Sequence, residues 1–204
     1  CRVDHAAYER EGRRSRSYVS AFEAARSSPI AARIAKSLAE ATPTDGTESS
    51  VSPAERLEAI GAFVQSFEYA IDPETKGTPE YHRAVVETLV DGRGDCKDLT
   101  YLLAGILSQP PFEYRTAMVF VPEHMLLGVR QADLPAGMAF DTLRGTGYVP
   151  IETTPGEPIG TLSRGPLLGI YDRGFEYFDE RAAGETAVTF LRNPSEIDIV
   201  RRSV

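Results

Sequence analysis

Tryptophan is absent from this 204-residue chain, and cysteine, histidine and lysine are scarce. Two cysteines, Cys1 and Cys96, cannot build a disulfide framework or a four-ligand zinc site. Three histidines, His5, His82 and His124, leave few candidates for an imidazole base. No apolar run approaches the roughly 18 residues of a membrane span. Lysine occurs only at positions 36, 76 and 97, so arginine supplies most of the basic charge. The net charge of −8 is unevenly spread. Residues 1–50 hold 8 basic and 7 acidic side chains, so the acidic excess lies in residues 51–204. That part would repel a phosphate backbone, which argues against nucleic acid as a partner. What remains is ordinary globular composition, 42% apolar and 25% charged, long enough to bury one real core.

The chain begins Cys1-Arg2-Val3-Asp4 rather than with Met. A mature lipoprotein begins at a lipidated Cys, which would make Cys1 a membrane tether and place the protein in the cell envelope. The alternative is a segment boundary, compatible with the cytoplasm.

Helical periodicity covers the first half. Residues 5–27 read as one helix with Tyr18, Phe22 and Ala25 on a common face. Ser28-Pro29 starts another, carrying Ile30, Ile34 and Leu38. Residues 42–52 have the composition of a linker. Ser52-Pro53-Ala54-Glu55 is a capping box, and its helix is predicted to reach about Tyr69. A turn is expected over 71–77 and a further helix from Thr78 through Leu89. Leu99, Leu102, Leu103, Ile106 and Leu107 predict a buried helix starting at or beside Cys96. After Pro110-Pro111 the pattern becomes β-like. Strands are expected over 114–121, 124–129, 138–143 and 148–153, then over 167–171 and 187–191, with a short helix over 175–181. Helices followed by an antiparallel meander define an α+β class. The organisation expected is an N-terminal helical extension (1–50), a core (51–160) and a C-terminal extension packing on it (161–204).

The segment Gly92-Arg93-Gly94-Asp95-Cys96-Lys97-Asp98 carries chemistry. A thiol at the first turn of a helix meets unpaired N–H groups, which favour thiolate. Two glycines leave the sulfur uncrowded. On this reading Cys96 is alkylated below about pH 8. A thiolate nucleophile needs a base, and His124 opens a strand directly after a turn. His82 falls in a predicted helix, where a surface imidazole needs no explanation, and His5 lies near the terminus. A third group orients the base. Glu152 interrupts an apolar strand, and Asp141 is the competing carboxylate.

A helix-borne Cys, a His at a strand start and an acid on the following strands resemble the transglutaminase-like superfamily of papain-type thiol enzymes. The motifs are Gly94-Asp95-Cys96 with Asp98, His124 before Met125-Leu126-Leu127-Gly128-Val129, and Glu152-Thr153-Thr154. They are most similar to the microbial branch with a Glu-Thr-Thr acid motif, as are Phe67-Glu68-Tyr69 and Val86-Glu87-Thr88-Leu89. The resemblance covers roughly residues 55–160. It implies a papain-like core and acyl transfer by a Cys96–His124–Glu152 triad on a protein or peptide substrate, by hydrolysis or by amine transfer. A non-catalytic binding module is the other alternative. Tyr69 would be the oxyanion donor beside the Cys96 N–H. No cofactor is implied. Some related proteases hold calcium near the Cys, but Asp95 and Asp98 do not form a calcium loop, so no metal site is expected. The missing Trp departs from the family pattern and argues against protein cross-linking.

Overall fold

Serine caps at positions 17, 28 and 52 decide where three of the N-terminal helices begin. The computed structural model describes residues 5–11, 16–46, 50–154, 157–162, 165–179 and 181–182. Cys1 and the strand expected over 187–191 lie outside them. In place of one helix over 5–27 there are two, α1 (His5–Glu11) and α2 (Tyr18–Arg26), because Ser17 caps Ser20 N–H and starts a new one. Ser28 caps α3 (Pro29–Ala41). Ser52 and Glu55 form the reciprocal box of α4 (Pro53–Gln65).

Helix α4 stops four residues short of Tyr69, since Glu68–Tyr69 (β1) pairs in parallel with Arg93–Gly94 (β2). A single helical turn, α5 (Asp72–Thr75), replaces the expected bend. The helix expected from Thr78 begins only at α6 (Val85–Asp91). Its intended first turns are drawn away by distant carboxylates. Tyr81 N–H donates to Asp72 at 2.8 Å and Arg83 N–H to Asp98 at 2.8 Å, so neither serves an i−4 carbonyl.

The helix that starts at Cys96 is α7 (Cys96–Leu107), and every residue after the first is buried. Fully burying each of its large apolar side chains is worth about 1.5–3 kcal/mol. It lies on a five-stranded sheet of β3 (Thr116–Val121), β4 (His124–Arg130), β5 (Tyr148–Ile151), β6 (Gly169–Tyr171) and β7 (Phe175–Phe178). The spatial order is β5-β4-β3-β6-β7, every pair antiparallel. The fold is α+β. Alternation sorts the two faces. Met118, Phe120, Met125, Leu127, Val129, Val149 and Ile151 join α7 in the main core, while Ala117, Val119, Val121, Leu126, Tyr148 and Ile170 form a smaller one behind.

Two strand assignments differ from expectation. Residues 138–143 form no strand, because the Gln131 side chain takes the partner's place: it donates to Met138 O at 2.7 Å and accepts from Phe140 N–H at 3.0 Å. The helix expected over 175–181 is the edge strand β7, paired with β6 and packed through Tyr171, Phe175 and Phe178.

The N-terminal helices share the main core through Phe22, Ala25, Ala31, Ile34 and Ala35. A Cβ at Gly105 would stand 2.8 Å from Ala25 O, so α7 passes α2 with no space for a methyl group. Asp172, fully buried, gathers Arg26 Nη1 of α2 at 2.9 Å, Arg115 Nε at 2.6 Å and the Tyr148 hydroxyl at 3.2 Å. Among the described residues no helix is long and apolar enough to cross a membrane.

Candidate active site

Asp95 caps α7, accepting from the N–H groups of Lys97 and Asp98, and Asp98 returns a bond to Asp95 N–H at 3.3 Å. Cys96 is thereby the first helical residue. It is a free thiol that keeps partial exposure. Gly94 is needed by this turn, because a Cβ there would meet Asp98 Cβ at 2.7 Å.

The thiol is not activated by its setting alone. Burial, then the charge of Asp95, push Cys96 up to about 12, outweighing the Met125 N–H that its sulfur accepts and the nearby Lys97. The helix terminus therefore does not supply the low value that position alone predicts. Alkylation of the free protein below about pH 8 is not what this environment favours.

His124, buried at the first position of β4, turns its Nε2 to Glu152, 2.9 Å from one carboxylate oxygen and 3.1 Å from the other. Burial alone would raise Glu152. Hydrogen bonds from His124 and from the Thr154 N–H and hydroxyl overcome this and hold it below the ordinary carboxylate range. An ionised carboxylate only accepts, so Nε2 carries the proton and Nδ1 is left as the basic nitrogen. No hydrogen bond joins the imidazole to Cys96. The two are linked through the backbone: the sulfur takes the amide of Met125, the residue after His124.

The Glu-Thr-Thr motif acquires a physical meaning. Thr154 clamps one Glu152 oxygen through its N–H (2.9 Å) and hydroxyl (2.8 Å). Thr153 meets the Thr100 hydroxyl at 3.1 Å and reaches Cys96 O at 3.4 Å. Thr100 also bonds Cys96 O at 2.8 Å, and Gln65 holds Glu152 O at 2.9 Å. Neither Thr100 nor Gln65 stands out in the sequence. The one available signal for Thr100 is its place one turn after Cys96.

The remaining candidates lie elsewhere. Asp141 is exposed in the loop after Phe140. Tyr69 is 49% exposed, and its backbone pairs with Gly94 two residues before Cys96. His82 is buried rather than a surface group, on the extended segment before α6. Its Nδ1 lies 2.9 Å from the Tyr101 hydroxyl and its ring stacks edge-on with Tyr18. Burial, then Lys97 and Arg16, lower it to about 3, so it stays neutral.

Three buried carboxylates, Asp72, Asp95 and Asp98, come within 4.8 Å of one another beside Cys96. They do not fit a cation. Lys97 Nζ bonds Asp95 and, at 2.6 Å, Asp72, and Arg83 Nη1 bonds Asp72 at 3.0 Å and Asp98 at 2.6 Å.

No family profile matches the chain, and no curated protein matches it. Solved structures similar to it include a calcium-bound form of LapG from Legionella pneumophila, at 16% identity and a TM-score of 0.44, covering 88% of this chain and 99% of that one. An EGTA-treated form of the same protein gives 18% identity and a TM-score of 0.40, over 88% of this chain and 98% of that one. A third LapG structure gives 19% and 0.40, over 86% and 97%.

Proposed function

We propose that the chain is a thiol acyl-transfer enzyme that hydrolyses peptide or amide bonds with Cys96 as nucleophile, His124 as base and Glu152 as orienting acid. The observation that carries this reading is the buried His124–Glu152 pair, set one residue from the amide that meets the Cys96 sulfur. A carboxylate fixed by two threonine donors and facing an imidazole fixes a tautomer. A purely structural histidine has no need of that.

The raised thiol shapes the mechanism. Cys96 rests protonated, and His124 Nδ1 removes the proton as the sulfur attacks the substrate carbonyl. The carbonyl oxygen gains the negative charge, facing the Cys96 N–H at the start of α7 and, in this proposal, Tyr69. The imidazolium, stabilised by Glu152, then protonates the leaving amine as the C–N bond breaks. Water, deprotonated by the same ring, releases the thioester as an acid and restores the thiol. Resolution by an amine instead of water would make the enzyme a transamidase.

The test is labelling with a peptide electrophile, followed by an amine-acceptor screen. Covalent labelling that requires Cys96 and is lost in Cys96→Ala supports the reading. Release of acid without amine incorporation selects hydrolysis. The raised thiol also favours a second reading, a binding module with an inert cysteine. Failure of every electrophile to label the folded protein would select it.

A further inference from the structure

Beneath the first turn of α7 lies a buried assembly that the proposed reaction leaves unused. Asp72, Asp95 and Asp98 have the proximity a divalent cation would require, yet all six of their oxygens are already taken by protein donors. Asp72 accepts from Arg83 Nη1 on one oxygen and from Lys97 Nζ and Tyr81 N–H on the other. Asp98 accepts from Arg83 N–H on one and from Arg83 Nη1 and Asp95 N–H on the other. Asp95 accepts from the N–H groups of Lys97 and Asp98 on one and from Lys97 Nζ on the other. The Lys97 ammonium in turn donates to Asp72 and Asp95 and forms an ion pair with Glu80 at 3.5 Å.

A lysine in the first turn of a helix is electrostatically misplaced unless something compensates. Here the carboxylates do. Burial alone would lower Lys97, but Asp95, Asp98, Glu80 and Asp72 hold it well above its ordinary value, so it stays charged. Taking Cys96 as the nucleophile, we propose that Lys97 is its positioning residue, a covalently attached counter-cation that joins Asp95 to Asp72 under the first turn of α7, with Arg83 joining Asp72 to Asp98, where a divalent ion would otherwise be needed. A tethered cation cannot be chelated or exchanged. The geometry of Cys96 is therefore independent of divalent ions.

The test uses calcium, the hard oxygen-seeking ion that such a cluster would take. Wild-type protein should bind neither calcium nor its luminescent substitute terbium, and EDTA should leave its Tm and its rate of Cys96 alkylation unchanged. Stoichiometric binding to the wild type with a shift in Tm overturns the proposal. Lys97→Met keeps the length and removes the charge. Compared at equal thiolate fraction, because the Lys97 charge also favours the thiolate, its alkylation rate should fall roughly tenfold or more through misplacement of the sulfur. Millimolar calcium should restore that rate, the vacated carboxylates now accepting the ion. A lower Tm with an unchanged alkylation rate would make Lys97 merely structural and refute the proposal. Should Lys97→Met fail to fold, Lys97→Arg decides: a retained alkylation rate, still indifferent to EDTA, supports a tethered cation, and calcium dependence in that variant refutes it. None of these readouts involves substrate turnover, so an absence of hydrolysis would refute the functional reading separately.

Discussion

Glu152 carries the sharpest expectation of any single residue. It is the carboxylate that His124 meets, whereas Asp141 is exposed. Glu152→Gln keeps the size and one acceptor but removes the charge that stabilises an imidazolium. If the proposed triad operates, turnover should fall roughly 10²–10⁴-fold with the fold intact. Asp141→Asn should stay within about a few-fold of the wild type. Steady-state kinetics beside near-ultraviolet circular dichroism would check both, and the reverse ranking would reassign the acid. Much of this was legible beforehand, because a charge within Tyr148-Val149-Pro150-Ile151-Glu152 demands a partner once the strand is buried. The supporting threonines were legible only as a motif. The assembly of Asp72, Arg83 and Lys97 was not, since residues so far apart in sequence show no periodicity. Its one sequence signal was a lysine at the wrong end of a helix.

At the scale of elements, capping chemistry was readable wherever it was local. Ser28-Pro29 and Ser52-Pro53 each start a helix where their side chains say they should. Errors arose where tertiary hydrogen bonds replaced local ones, as at residues 78–84 and beside Gln131. Gly105 belongs to the same class. In sequence it is a weak point in a helix, and in the structure it is the crossing of α7 over α2 and α3. Gly105→Ala improves helix propensity yet drives a methyl group to 2.8 Å from Ala25 O and 3.1 Å from Ala31 Cβ. Overpacking of this kind should destabilise by about 1–3 kcal/mol, against a propensity gain of about 1 kcal/mol. Denaturant unfolding would measure the balance, with net destabilisation expected.

Across the whole molecule, His82 sets a pH dependence. It bridges α2 and α7 through Tyr18 and Tyr101, and it stays neutral until about pH 3. An unfolded histidine takes its proton near pH ~6.5. Between those values the unfolded chain binds more protons than the folded one, so stability falls as pH is lowered through that window. The loss should approach about 1.4 kcal/mol per pH unit from this group. His82→Gln, which keeps a polar partner for Tyr101, should flatten that slope in unfolding curves recorded between about pH 4 and about pH 7.

The seating of α2 bears on how this protein can be processed. Phe22 and Ala25 fill the core beside α7, and Arg26 is one of two arginines on the buried Asp172. A cut near Ser27 that released everything before it would open the core above α7, the helix that carries Cys96. It would also leave a buried carboxylate with one half-exposed counter-ion. The segment is thus an integral part of the core that seats α7. Proteolytic trimming there should cost the fold its stability, since core contacts and a buried ion pair go with it.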